Sequence, residues 1–208
     1  EGARKTAANF IHANKEEIVF TSGTTEALNL LAMMITNQIL KEGDAVLSTE
    51  TEHASSILPW QQAGYDKKIA VDFIPLTEDG RLTPENFEKA IAEHPNTKVV
   101  CFAQVSNVLG YTAPVKEITK IAHEHGIIVV VDGAQSVAHM PVDVKDLDVD
   151  FFCFSGHKMC GPTGIGILYG KKEWLETLRP VIFGGESNAR YYKYEELVLK
   201  RSPFKYES

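Results

Sequence analysis

Short apolar runs alternate with stretches of helical period along most of this chain. The runs are "EIVF" (17–20), "AVLST" (45–49), "IAVDFI" (69–74), "KVVCFA" (98–103), "IIVVV" (127–131), "DFFCF" (150–154) and "GILYG" (166–170). Each has the length of a β-strand. The run 127–131 is apolar without alternation, as in a strand covered on both faces. Between the runs the period changes. From Thr24 onward, Leu28, Leu31, Ala32 and Ile35 fall at i, i+3, i+4 and i+7, which makes one buried helical stripe. In "LTPENFEKAI" Thr83 is placed as an N-cap with Pro84 behind it. Pro114 suits a first helical position, Val115, Ile118 and Ala122 continue an apolar stripe, and Gly126 stands where a C-terminal cap belongs. Strand and helix signals in this alternation predict an α/β fold around a largely parallel sheet. Residues 184–208 differ: rich in Tyr, Lys, Arg and Glu, they show little periodicity and read as an exposed loop or hairpin.

Composition narrows the picture. The 208 residues are 44% hydrophobic and 24% charged, which suits one globular domain with a sizeable core. A net charge of −7 lacks the basic footprint of a nucleic-acid binder. No apolar run approaches the roughly 18 residues of a membrane-spanning helix, so no membrane is expected. Three cysteines make no disulfide framework and point to a reducing cytoplasm. The chain opens "EGARKTAANF" without a methionine and closes "SPFKYES" with neither cap nor polar tail, so a piece of a longer protein is expected.

Ligands of open α/β sheets bind beyond the carboxyl ends of the strands, so the residues after each apolar run carry the candidate chemistry. Five runs deliver Thr24, Thr25, His53, Asn107, Asp132, Gln135, Ser155, His157 and Lys158 there. Taken singly, each has a plain reading beside the functional one. "SGTT" before a helix offers backbone N–H groups and two hydroxyls to a phosphate, or is an ordinary N-cap. Asp132, after five apolar residues, is a buried acid that needs a cation or donors, or a turn aspartate. His53 can stack, ligate or cap, and Asn107 and Gln135 can be turn formers. Lys158 excludes two nucleotide readings: in "SGHKMCGPTGIG" the glycines follow the lysine, so the order is not that of a P-loop, and the spacing is not G-x-G-x-x-G. A lysine at a crowded strand exit can instead attack a carbonyl and form a Schiff base. Metal spacing is absent: "HEH" (123–125) puts its histidines two apart on a helix, where they do not share a face.

The stretches "FTSGTTEALNLLA", "TEHASSILPWQ", "QVSNVLGYTAPVKEI", "VVVDGAQSVAHMPVDV" and "FFCFSGHKMCGPTGIGILYG", in this order from Phe20 to Gly170, resemble the class V aminotransferase and cysteine desulfurase family. The resemblance is greatest to its SufS-type, group II members. It implies a three-layer α/β/α large domain of the fold type I pyridoxal-phosphate enzymes over 1–183, with 184–208 an extension toward a further region. It implies pyridoxal 5'-phosphate as cofactor, on Lys158 as a Schiff base, with Asp132 at the pyridine nitrogen and His53 stacked on the ring. Gln135 and Asn107 are then expected at the ring hydroxyl and the substrate side, and Thr24, Thr25, Ser155 and His157 at the phosphate. L-Cysteine is the implied substrate, yielding alanine and a persulfide sulfur for iron–sulfur cluster assembly, with a homodimer and a sulfur-acceptor protein as implied partners. A selenocysteine lyase or another class V aminotransferase shares the same Lys–Asp–His set, and a non-catalytic sulfur-relay scaffold is the reading outside enzymes. None of Cys101, Cys153 and Cys160 matches the family's nucleophilic cysteine; the first two are expected to be core thiols and Cys160 a turn residue. The chain alone is therefore expected to lack desulfurase turnover.

Overall fold

A computed structural model of the chain describes residues 1–185, 187–190 and 197–207. In chain order its elements are α1 (Gly2–Phe10), β1 (Ile18–Thr21), α2 (Thr24–Gln38), β2 (Ala45–Ser48), α3 (Ala54–Gly64), β3 (Ala70–Phe73), α4 (Pro84–Glu93) and β4 (Thr97–Ala103). They continue with α5 (Val115–Glu124), β5 (Ile128–Asp132), α6 (Val144–Leu147), β6 (Phe151–Ser155), β7 (Gly166–Gly170), α7 (Lys172–Thr177), β8 (Asn188–Arg190) and β9 (Val198–Leu199). All seven expected strands are present, and no end moves by more than one residue.

Those seven strands form one sheet in the order β1-β7-β6-β5-β4-β2-β3. β5 pairs in parallel with β4 and β6, and β2 with β4 and β3. β7 runs antiparallel to both β6 and β1. β1 therefore runs with β6, and the carboxyl ends of β1, β2, β4, β5 and β6 reach one edge. The register aligns that edge: Ala103 lies beside Asp132, Asp132 beside Cys153, and Gly166 beside both Ser155 and Thr21.

Successive residues of a strand point to opposite faces, and two cores divide accordingly. Val100, Phe102, Val129, Val131 and Phe152 pack on the face shared with Phe87 of α4 and Ile118 of α5. Val99, Cys101, Ile128, Val130 and Cys153 pack on the other, with Leu28 and Ile35 of α2 and Trp60 of α3. The expected stripe Leu28, Leu31, Ala32 and Ile35 is wholly buried there. Burial of each Leu or Ile contributes roughly 1.5–3 kcal/mol, which holds α2 with its first turn at the sheet edge. No helix among the described residues is long and apolar enough to cross a membrane.

Helix ends match the expected signals with one shift. Thr83 Oγ1 accepts from Asn86 N at 3.2 Å, and Gly126 adopts φ +67° after α5. Pro114 precedes α5 instead of opening it, because its carbonyl accepts the first helical bond from Ile118 N at 3.0 Å. The segment 184–208 holds the antiparallel pair β8–β9, while Glu186, residues 191–196 and Ser208 lie outside the described residues. Its tail is not exposed as expected. Lys205 and Tyr206 are buried against α7, where Lys205 Nζ donates to the carbonyls of Glu176 and Leu178 at 3.1 and 2.6 Å. The last carbonyls of a helix lack partners within it, and this tail supplies them.

Candidate active site

The exit of β6 meets the first turn of α2. Ser155 is buried, and its Oγ accepts from Thr24 N at 2.7 Å and lies 2.7 Å from Thr24 Oγ1. Thr24 and Ser155, 131 residues apart, thus form one polar pair under the helix N-terminus. The approach needs two glycines: a Cβ on Gly166 would lie 2.4 Å from the Cα of Gly23. Gly166, among the glycines after Lys158, therefore serves backbone packing. Lys158 and His157 follow Ser155 in a 3-10 turn, Gly156–Met159, with Lys158 half-buried and His157 exposed. Cys160 closes this turn in the left-handed region at φ +63° and is exposed, as a turn residue.

Asp132 ends β5, and only 6% of it is exposed. Its Oδ1 accepts from Ala134 N at 2.9 Å and its Oδ2 from Ser56 Oγ at 3.1 Å. Burial raises its pKa above the ordinary aspartate value, against the opposing pull of these two donors and of Lys158 and His53. Lys158 and His53 thus both act electrostatically on this carboxylate. Glu52, beside His53, is a second acid of the same edge. It accepts from Thr49 Oγ1 at 2.6 Å and from Ala103 N at 2.8 Å, so it ties the exit of β2 to that of β4. Burial first, and the charge of Asp132 with it, push its pKa up to about 7 against those two hydrogen bonds.

His53 caps α3. Its Nδ1 accepts from Ser55 N at 3.2 Å and lies 3.0 Å from Ser55 Oγ, which in turn lies 2.9 Å from Thr25 Oγ1. His53 therefore caps α3 and also acts electrostatically on Asp132. Asn107 and Gln135 line a neighbouring cleft of about 590 Å³ with Ser106, His139 and Met140. Ser106 Oγ accepts from Val108 N and Leu109 N and shapes the loop that carries Asn107.

The structure thus joins Thr24 with Ser155, links Thr25 to His53 through Ser55, and sets Lys158 and His53 within electrostatic reach of Asp132. Asn107 and Gln135 stand apart in the adjoining cleft, and His157 faces outward on the turn. Glu52, Ser55 and Ser56 went unread in the sequence. All three lie in "TEHASS" with His53, and a run of polar residues at a strand exit was the available signal. Burial drives the thiol pKa values of Cys101 and Cys153 far above the ordinary range. Both are core thiols with no thiolate character.

Comparison with known proteins adds four likenesses. The Aminotransferase class-V family model matches residues 1–208. A probable cysteine desulfurase of Halalkalibacterium halodurans is 51% identical over 208 residues, covering 100% of this chain and 50% of that protein. The structure of the cysteine desulfurase CsdA from Escherichia coli superposes with a TM-score of 0.94 at 34% identity, over 100% of this chain and 51% of that one. A C-DES variant with glycine covalently linked to its PLP cofactor superposes at 0.88 with 25% identity, over 98% of this chain and 54% of that one. The chain spans about half the length of the relatives it matches.

Proposed function

Because the chain belongs to the class-V aminotransferase family, we propose that it is the cofactor-binding part of a pyridoxal-phosphate-dependent, SufS-type cysteine desulfurase. One observation carries this reading. A carboxylate buried at the end of a central parallel strand has two neutral donors, and an amine and an imidazole act on it electrostatically. Such a carboxylate is costly to bury unless it meets a positive group, and a protonated pyridine nitrogen fits that need.

Asp132 would hold the pyridine nitrogen, Lys158 the aldehyde carbon, and His53 the ring face. Thr24, Thr25, Ser155 and His157 would seat the phosphate at the N-terminus of α2, and Gln135 and Asn107 would border the ring hydroxyl and the substrate. Pyridoxal phosphate supplies an electron sink for the pair left when a bond at the substrate α-carbon breaks. Lys158 Nζ would take the α-proton, and His53 would pass a proton to or from the sulfur. L-Cysteine is the proposed substrate. The sulfur requires a thiolate; neither core thiol can supply one, and Cys160, exposed on its turn, does not match the family's nucleophilic cysteine, so we assign that step to a residue outside these 208. A homodimer, a cytoplasmic setting and a sulfur-acceptor protein complete the proposal.

The test is an absorption spectrum of the chain after addition of pyridoxal phosphate. A visible band that disappears in Lys158→Ala is expected, with no persulfide formed from cysteine by the chain alone. Absence of the band in folded wild type, or its persistence in Lys158→Ala, would overturn the assignment.

A further inference from the structure

Ser55 touches both His53 and Thr25, and a helix cap alone does not require this. A cap needs one acceptor for an early backbone N–H, and His53 Nδ1 already meets that need from Ser55 N. The Ser55 hydroxyl adds a second contact to the same nitrogen and a bond across to α2, 30 residues away in sequence.

The donors can be assigned by elimination. A backbone N–H can only donate, so Nδ1 of His53 is an acceptor and the neutral ring carries its proton on Nε2. The Ser55 hydroxyl has one proton, which it gives to Nδ1. Its oxygen is then free to accept from Thr25 Oγ1. The chain runs Thr25 O–H to Ser55 O–H to His53 Nδ1, and each bond polarises the next. An unprotonated phosphate oxygen accepts only, so such an oxygen seated against Thr25 takes its single hydroxyl proton. Ser55 then loses its donor, and its own bond to Nδ1 weakens.

We infer that Ser55 is a positioning residue that couples the Thr24–Thr25 turn to the imidazole of His53, so that a phosphate in the turn is felt at Nδ1. This rests on the turn being the phosphate seat proposed above. The coupling leaves the Nε2–H edge of His53 available to the site while its far edge reports on the turn.

Long-range proton–nitrogen correlation spectra of the 208-residue chain test this, with inorganic phosphate as the probe and His53→Gln for assignment. In wild type, phosphate is expected to shift the amides of Thr24 and Thr25 together with Nδ1 of His53. In Ser55→Ala the backbone cap and the amide shifts persist, and the Nδ1 response falls at least threefold. Ser55→Thr restores it, and Thr25→Val, which cuts the other end, reproduces the loss. An equal Nδ1 response in wild type and Ser55→Ala would overturn the coupling. So would amides that respond without Nδ1, or no amide response at all. Coupling to phosphate without a visible band on pyridoxal phosphate would sink the cofactor reading and leave the coupling standing.

Discussion

Glu52 carries its proton into the neutral range because its surroundings offer a carboxylate little solvent and place Asp132 nearby. Its folded pKa, about 7, lies above the ordinary value of 4.5. Between those values the unfolded chain gives up the proton and the folded chain keeps it, so stability falls as pH rises through that window. Glu52→Gln keeps the shape of the neutral acid, with one amide edge for Thr49 and the carbonyl for Ala103. It is expected to match wild type near pH 4 and to be more stable at pH 8, by on the order of 1–3 kcal/mol. Urea denaturation at a series of pH values checks this, and a wild-type slope retained in Glu52→Gln would refute it. The sequence put His53 and Asp132 at the right edge because strand exits are short-range features. It did not reveal Glu52, Ser55 or Ser56, since their partners Ala103, Thr25 and Asp132 come from other elements. A polar residue at an exit declares that it needs a partner, but only the register says which one.

Elements were the most legible scale, because the period of apolar positions is dictated by strand and helix geometry within a few residues. The stripe of α2 and the continuous run of β5 both come from such local constraints. What the period could not show is how β7 reaches the site. Antiparallel pairing on both sides brings its first residue, Gly166, against Gly23, where backbone meets backbone. An added methyl at Gly166 would lie 2.4 Å from Gly23 Cα and 2.8 Å from its neighbours N and C, none of which can swing aside. Gly166→Ala must therefore push β7 from the first turn of α2. A loss of about 1–3 kcal/mol, the usual cost of overpacking, is expected in denaturant titration. Because the displaced turn holds Thr24 and faces Ser155, the same variant should bind pyridoxal phosphate at least tenfold more weakly. Unchanged affinity would show that the turn tolerates the shift.

At the scale of the whole molecule, the free edge of β1 sets the problem that the two ends of the chain solve together. Among the described residues β1 pairs on one side only, with β7, and an unpaired strand edge presents backbone groups that invite other strands. Arg4 of α1, buried between the rings of Phe20 and Phe204, donates to Ile18 O and to both oxygens of Glu207 at 2.8 and 2.7 Å. Glu207 Oε1 in turn accepts from Phe20 N at 2.8 Å. One ion pair thus takes the place of a neighbouring strand, and it holds the end of the tail, where Lys205 and Tyr206 are buried, against β1. Breaking a buried pair from one side leaves a charge uncompensated, at about 3–5 kcal/mol, and the partial exposure of Glu207 lowers that figure. Arg4→Met is therefore expected to cost about 2–4 kcal/mol. Glu207→Gln keeps an acceptor for Phe20 N but strands the more deeply buried guanidinium of Arg4, so it too should cost about 2–4 kcal/mol. With both changed, no stranded carboxylate remains, so the double variant should be more stable than the sum of the singles predicts, by at least about 1 kcal/mol. A double-mutant cycle by urea denaturation measures that coupling. Additive single effects would mean that Arg4 and Glu207 cover the edge of β1 independently, each held by its own backbone contact.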